Sequence, residues 1–167
     1  GSDATASFTS GIDSTYKEYM FICNDIHPET DNTNFTFQGN VAGGSGYNET
    51  MTTTFFQALH FEGDTEATVE YEGGGDQAQG TAFQHLVRGL GNGNDECCSG
   101  YLHLFNPSST TFVTHFIANF SGYEQRNGAW NSYIAGYFNL TGAIDEIQFK
   151  MSSGDIDAGT ISLYGIN

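Results

Sequence analysis

Five consecutive residues, Asn92-Gly93-Asn94-Asp95-Glu96, set oxygen donors around a glycine, and hard oxygen ligands of this kind are what calcium takes. Asn92, Asn94, Asp95 and Glu96 are therefore the candidate ligands for Ca2+; no other cofactor is expected. A second acidic stretch carries Glu62, Asp64, Glu66, Glu70, Glu72 and Asp76. Neither segment fits the twelve-residue helix-loop-helix calcium pattern, and a solvated acidic loop is the simpler account of both. The five histidines, His27, His60, His85, His103 and His115, include no His-x-x-x-His pair. Only His103 and His115 fall in neighbouring strands joined by a turn, where they could face each other.

A different chemistry is offered between Asn119 and Tyr137. Phe120, Tyr123, Trp130, Tyr133 and Tyr137 lie there among Asn, Gln and Gly. Exposed aromatic rings framed by amides hold sugars, so Trp130, Tyr123 and Tyr133 are the candidate glycan-binding residues. The alternative is that these rings fill a core or a subunit contact, where Tyr and Trp are also enriched. Trp130, the single tryptophan, follows Asn127-Gly128-Ala129, which puts it at or near a loop.

Catalysis has less to stand on. The sequence contains no Gly-x-Ser-x-Gly elbow and no phosphate-cradling Gly-x-x-x-x-Gly-Lys loop. Two carboxylates across a cleft suffice for glycoside hydrolysis, but 20 acidic residues always allow such a pair. The expectation is a protein that is not an enzyme. Against those 20 stand only Lys17, Arg88, Arg126 and Lys150, for a net charge of −16. Four scattered cations cannot line a groove for nucleic acid, and an anionic membrane surface would repel the chain. No run of 18 apolar residues is present to insert into a bilayer.

The elements that must position these residues read as strands. Aromatics make up 14% of the 167 residues, with 14 Phe and 9 Tyr, and flat side chains suit a pleated surface. There are 22 Gly and 2 Pro, so the turns rely on glycine. Strands are expected at Glu18–Cys23, Asn34–Asn40, Met51–Glu62, Ala67–Glu72, Thr81–Arg88, Gly100–Asn106, Thr111–Phe120, Asn131–Leu140, Glu146–Met151 and Thr160–Ile166. In Thr111–Phe120 the alternation puts Phe112, Phe116 and Phe120 on one face. Residues 1–15 read as a lead-in arm, and 16–167 as a single domain. About ten short strands without a helix imply an all-β fold, an antiparallel β-sandwich of jelly-roll kind. Cys23, Cys97 and Cys98 are an odd set, and free buried thiols are expected rather than a disulfide framework.

The most distinctive wording is at the C-terminus. Ala143-Ile144-Asp145-Glu146-Ile147-Gln148-Phe149-Lys150-Met151 alternates apolar and polar residues, a turn follows over Ser152 to Gly159, and Thr160–Ile166 reads as a second strand of one hairpin. This run resembles the end of β-sandwich virion structural proteins of marine tailed phages, those of cyanobacteria and other ocean bacteria. Further similar stretches are Phe8–Tyr19, Ile26–Asp31, Asp76–Gly80 and Leu102–Phe112. The resemblance implies a component displayed on the virion surface, as a capsid decoration, fibre or tail-associated protein. It implies a homo-oligomer, a trimer above all, and other virion proteins as partners. The alternative is a carbohydrate-binding module for host-surface or environmental glycans. Several strands carry apolar residues on both faces, which leaves an apolar surface for subunit contact once one face fills the core.

Overall fold

The computed structural model describes residues 2–167, and every regular element among them is a strand. In chain order these are β1 (Ala6–Phe8), β2 (Glu18–Pro28), β3 (Thr33–Val41), β4 (Met51–Phe61), β5 (Ala67–Tyr71) and β6 (Ala78–Gly80). They are followed by β7 (Gln84–Leu90), β8 (Cys98–Phe105), β9 (His115–Glu124), β10 (Gly128–Phe138), β11 (Ile144–Met151) and β12 (Ile156–Ile166). All ten expected strands are present, with shifted ends, and β1 and β6 are additional. The arm is stitched into the fold. β1 pairs with β11 through Ala6–Phe149 and Phe8–Ile147, and Ile12 is buried. Among the described residues, no helix is long and apolar enough to cross a membrane.

All pairings are antiparallel. The larger sheet runs β12-β2-β8-β9-β10-β4-β5, with β6 beside the other end of β4. The smaller runs β1-β11-β3-β7 and joins the larger through a single pairing, Leu90 with Glu124. The path folds over there, and the two sheets face each other across an aromatic core. Phe149 and Phe35 of the smaller sheet meet Phe21 and Phe120 of the larger, at ring-centroid separations of 5.3 and 5.9 Å, and Phe37 meets Phe116 at 5.1 Å. Edge-on contacts of this kind suit the ring quadrupoles.

The pairing is nested. β2 pairs with β12, β3 with β11 and β4 with β10, so a long antiparallel ribbon is wrapped across both sheets. That wrapping is the jelly-roll arrangement of an all-β sandwich. It overturns one expectation, because β11 and β12 form no hairpin. β11 lies between β1 and β3 in one sheet, and β12 pairs with β2 in the other. Ser152 to Asp155 bridges the sheets instead of reversing the chain within one. β12 also begins earlier than expected because Gly159, at φ +115°, forms part of an irregular stretch within the strand rather than ending a turn.

The register of β9 also differs from the expected one. Phe116 and Phe120 face the core as expected, but Phe112 lies before the strand and is 71% exposed. Thr110 to Phe112 form a bend, where side-chain alternation no longer holds. Cys23 and Cys98 are buried, Cys97 is half-buried, and all three thiols are free.

Candidate functional site

Opposite sheets of unequal width leave part of the larger one uncovered. Beyond the β7 edge of the smaller sheet, the inner faces of β4, β10 and β5 continue into a groove of about 630 Å³. Along β4, the inward positions are Met51, Thr53, Phe55, Gln57, Leu59 and Phe61, so Gln57 is a polar residue set into the core-facing row. On β10 the inward row begins with Gly128, Trp130 and Ser132. Gln57, Leu59 and Trp130 make the groove floor, and Leu59, Phe61 and Trp130 pack as a small separate core. Glu66, Glu70 and Glu72 stand on one side, and Arg88 and Gly89 of β7 with Asn32 and Asn34 stand on the other. The tight β9–β10 turn closes the end with Glu124, Gln125 and Arg126.

Its walls are hydrogen-bonded into place. Glu124, only 3% exposed, accepts from the Arg126 backbone N–H and from Arg126 Nε, both at 2.8 Å. The Arg126 guanidinium also lies 4.8 Å from the Phe61 ring centroid, where the ring quadrupole attracts it. Across the groove, Arg88 Nη1 pairs with Glu72 Oε1 at 2.5 Å. Gln57 Nε2 donates to Glu70 Oε1 at 2.8 Å. Behind this wall, Gln84 accepts from Thr53 Oγ1 and donates to the Gly75 carbonyl, which fixes the 72–77 loop against β4 and β7. Three polar atoms of the groove residues have no hydrogen-bond partner: Gln57 Oε1, Arg88 Nε and Trp130 Nε1. Orphaned polar atoms away from water are costly, about 1–3 kcal/mol each, and mark a place where a partner is wanted.

The three residues selected from sequence as glycan binders do not converge. Trp130 is inside β10, opposite Leu59 and Gly122, and is 6% exposed, so it sits within a strand and not at a loop. Its ring is an edge in the groove floor and not an open stacking platform. Tyr133, an odd number of residues along the same strand, points from the outer face, where it stacks on Phe56 at 4.9 Å with 8° between the planes. Tyr123 is also on the outer face, and its hydroxyl donates to Glu62 Oε1 at 3.0 Å. That contact to a carboxylate holds the phenol above its ordinary pKa.

The candidate calcium loop is closed by its own bonds. Glu96 is buried, and its carboxylate accepts from the Gly93 N–H. Asn92 donates to the Glu29 carbonyl at 3.0 Å, while Asn94 and Asp95 are exposed. Among the described residues, no three His, Cys, Asp or Glu side chains gather as metal ligands. His103 and His115 do not face each other. His103 is opposite Ile117 and pairs with Glu18 Oε2 at 2.8 Å, whereas His115 is opposite Phe105 and packs on Tyr137. The hairpin is offset by two residues from the alignment that would have joined them.

The groove thus gathers the chain's one Trp and both of its Arg residues. Sequence reasoning singled out Trp130, named Glu70 and Glu72 only within an acidic stretch, and missed Gln57 and Arg88. One signal was present: Gln57 interrupts an otherwise apolar and Thr inward row of β4. What the fold and groove together define is an antiparallel β-sandwich with a concave polar cleft beside an uncovered sheet face. Comparison with protein-family models, curated proteins and solved structures gives no match.

Proposed function

We propose that the chain is a non-enzymatic display module of a phage virion, a surface β-sandwich that assembles with copies of itself and with other virion proteins. The observation that supports assembly is the outer face of the larger sheet. Four adjacent strands point outward there with Ser99, Tyr101, His103 and Phe105 of β8, and His115, Ile117, Asn119, Ser121 and Tyr123 of β9. Ala129, Asn131, Tyr133, Ala135 and Tyr137 of β10 and Thr52, Thr54, Phe56, Ala58 and His60 of β4 complete it. None of these is Asp, Glu, Lys or Arg, on a chain of net charge −16. Phe56, Ile117 and Tyr133 remain 44%, 40% and 43% exposed, and Tyr71 of β5 extends the aromatic row at 59%.

A solvated antiparallel sheet face ordinarily alternates polar-out, and a charge-rich surface keeps a monomer soluble. With carboxylates such as Glu18 and Glu62 only at its margins, the middle of this face lets highly acidic copies meet with little charge placed against charge. Salt screens the remaining exposed charges beyond about 8 Å at physiological strength. The resemblance of the C-terminal run supplies the virion context and the expectation of three copies. Light scattering at micromolar concentration in physiological and high salt is expected to give an oligomer. Tyr133→Asp, which puts a carboxylate into the centre of the face, is expected to release monomers that keep the parent's circular dichroism spectrum. A parent protein that stays monomeric at every salt concentration, or one that degrades a polysaccharide, would overturn the proposal. Immunolabelling of intact particles tests the location.

A further inference from the structure

We infer that the groove beside β7 is a binding site for a neutral polyhydroxylated ligand, a segment of a saccharide chain. Its orphaned atoms define the partners that are wanted. Arg88 Nε and Trp130 Nε1 are donors without an acceptor, and Gln57 Oε1 is an acceptor without a donor. Gln57 and Trp130 are 3% and 6% exposed, so their orphaned atoms lie just beneath the groove surface, and a ligand reaches them by displacing the side chains over them. Both line the groove with Arg88.

A metal ion could use Gln57 Oε1 and the carboxylates, but it would leave the indole and guanidinium donors unserved. An anion would satisfy those donors and would be repelled by Glu66, Glu70, Glu72 and Glu124, which outnumber the two arginines lining the same groove. A hydroxyl group both donates and accepts. The hydroxyls of a saccharide segment supply donors to a glutamate and Gln57 and acceptors to Trp130 and Arg88. The groove therefore has the mixed demand that polyols meet and single-sign ligands do not. Leu59 and the edge of Trp130 supply the apolar floor against which sugar C–H groups pack. The wall is also built to hold a fixed shape, since Arg88–Glu72 and Arg126–Glu124 lock the charged groups in pairs. This site is on the inner side of the larger sheet, opposite the uncharged outer face, so its occupancy and self-assembly are separable.

Trp130 is the single tryptophan and lines this groove, so its fluorescence reports on binding there, and the Glu70→Gln and Gln57→Leu variants tie a response to this groove. Titrating the full chain with soluble oligosaccharides of the β-glucan, α-glucan, mannan and galactan classes is expected to give a saturable change in emission for at least one class. Glu70 is exposed, and Glu70→Gln removes its charge while leaving the fold unstrained. Gln57→Leu removes the orphaned acceptor. Each variant is expected to weaken the responsive sugar at least tenfold with its circular dichroism spectrum retained, and Tyr133→Asp is expected to bind like the parent. The inference is overturned by an absence of any saturable response across the four classes. It is equally overturned by undiminished binding in Glu70→Gln and Gln57→Leu, or by a response to calcium chloride or inorganic phosphate that the sugars do not reproduce. A monomeric parent that still binds sugar would sink the assembly proposal and leave this one standing.

Discussion

Phe149→Ala is the sharpest probe of how the two sheets are held. The ring is fully buried on β11 and touches four other phenylalanines: Phe8, Phe21, Phe35 and Phe37 at centroid distances of 6.2, 5.3, 5.7 and 6.4 Å. Phe35 and Phe37 belong to its own sheet and Phe21 to the opposite one, so removing the ring opens a void at the seam. Transfer of a phenylalanine side chain out of water is worth about 1.5–3 kcal/mol. The void adds its own cost, since four stiff rings cannot collapse into it, and the sum falls in the range of about 3–5 kcal/mol known for such truncations. For a chain of this size, each kcal/mol moves the midpoint by roughly 2–4 °C, so a loss of about 6–20 °C is expected by calorimetry. Phe112→Ala is the matched control. That ring is 71% exposed, and its removal is expected to change stability by less than about 0.5 kcal/mol. A Phe149→Ala midpoint within two degrees or so of the parent would refute the cross-sheet packing.

Two further outcomes follow from groups buried against their ionisation. Burial, with Arg88 next in weight, lowers the His85 pKa below its ordinary value near 6.5, and Glu72 only partly offsets this. The unfolded chain therefore binds more protons between the two pKa values, so stability falls as pH drops below about 6.5 and is unaffected by this group above it; His85→Gln is expected to flatten the pH dependence of urea midpoints there, and an unchanged slope would remove His85 from the account. Burial pushes the Cys23 thiol up to about 12 and Cys98 well above its ordinary value, while half-buried Cys97 is raised less completely shielded from solvent. Native-state maleimide labelling read by mass spectrometry is expected to modify Cys97 alone, with the other two reacting only in denaturant.

The strands were legible in the sequence wherever the pattern that makes them is local. Ile147, Phe149 and Met151 alternate with Gln148 and Lys150 in sequence, and the first three are buried in β11. Pairing was not local, which is why two strands separated by a four-residue link were read as a hairpin although their partners lie over 100 residues away. Ile161 and Leu163 show the consequence, being half-buried in a strand at the sheet edge instead of enclosed. The groove was hidden for the same reason. Gln57, Arg88 and Trp130 come from three strands that only the wrapped topology brings together, and an aromatic residue's letter does not say which face of its strand it takes.

The nested pairing also sets a timetable for folding. β3 cannot find β11, nor β2 find β12, until more than 100 intervening residues have been made. Each such closure must be reached before its contacts give any return, which places the chain among slow folders, in the millisecond-to-second range. During that interval Phe35 and Phe37 lack the neighbouring Phe149 ring of β11. The β8–β9–β10 meander, whose strands pair with their sequence neighbours, can form first and offer a surface to wait on. A nascent chain that stalls before β11 emerges would present those phenylalanines to other nascent chains, and self-association at that stage would be a misfolding route distinct from assembly of the finished module.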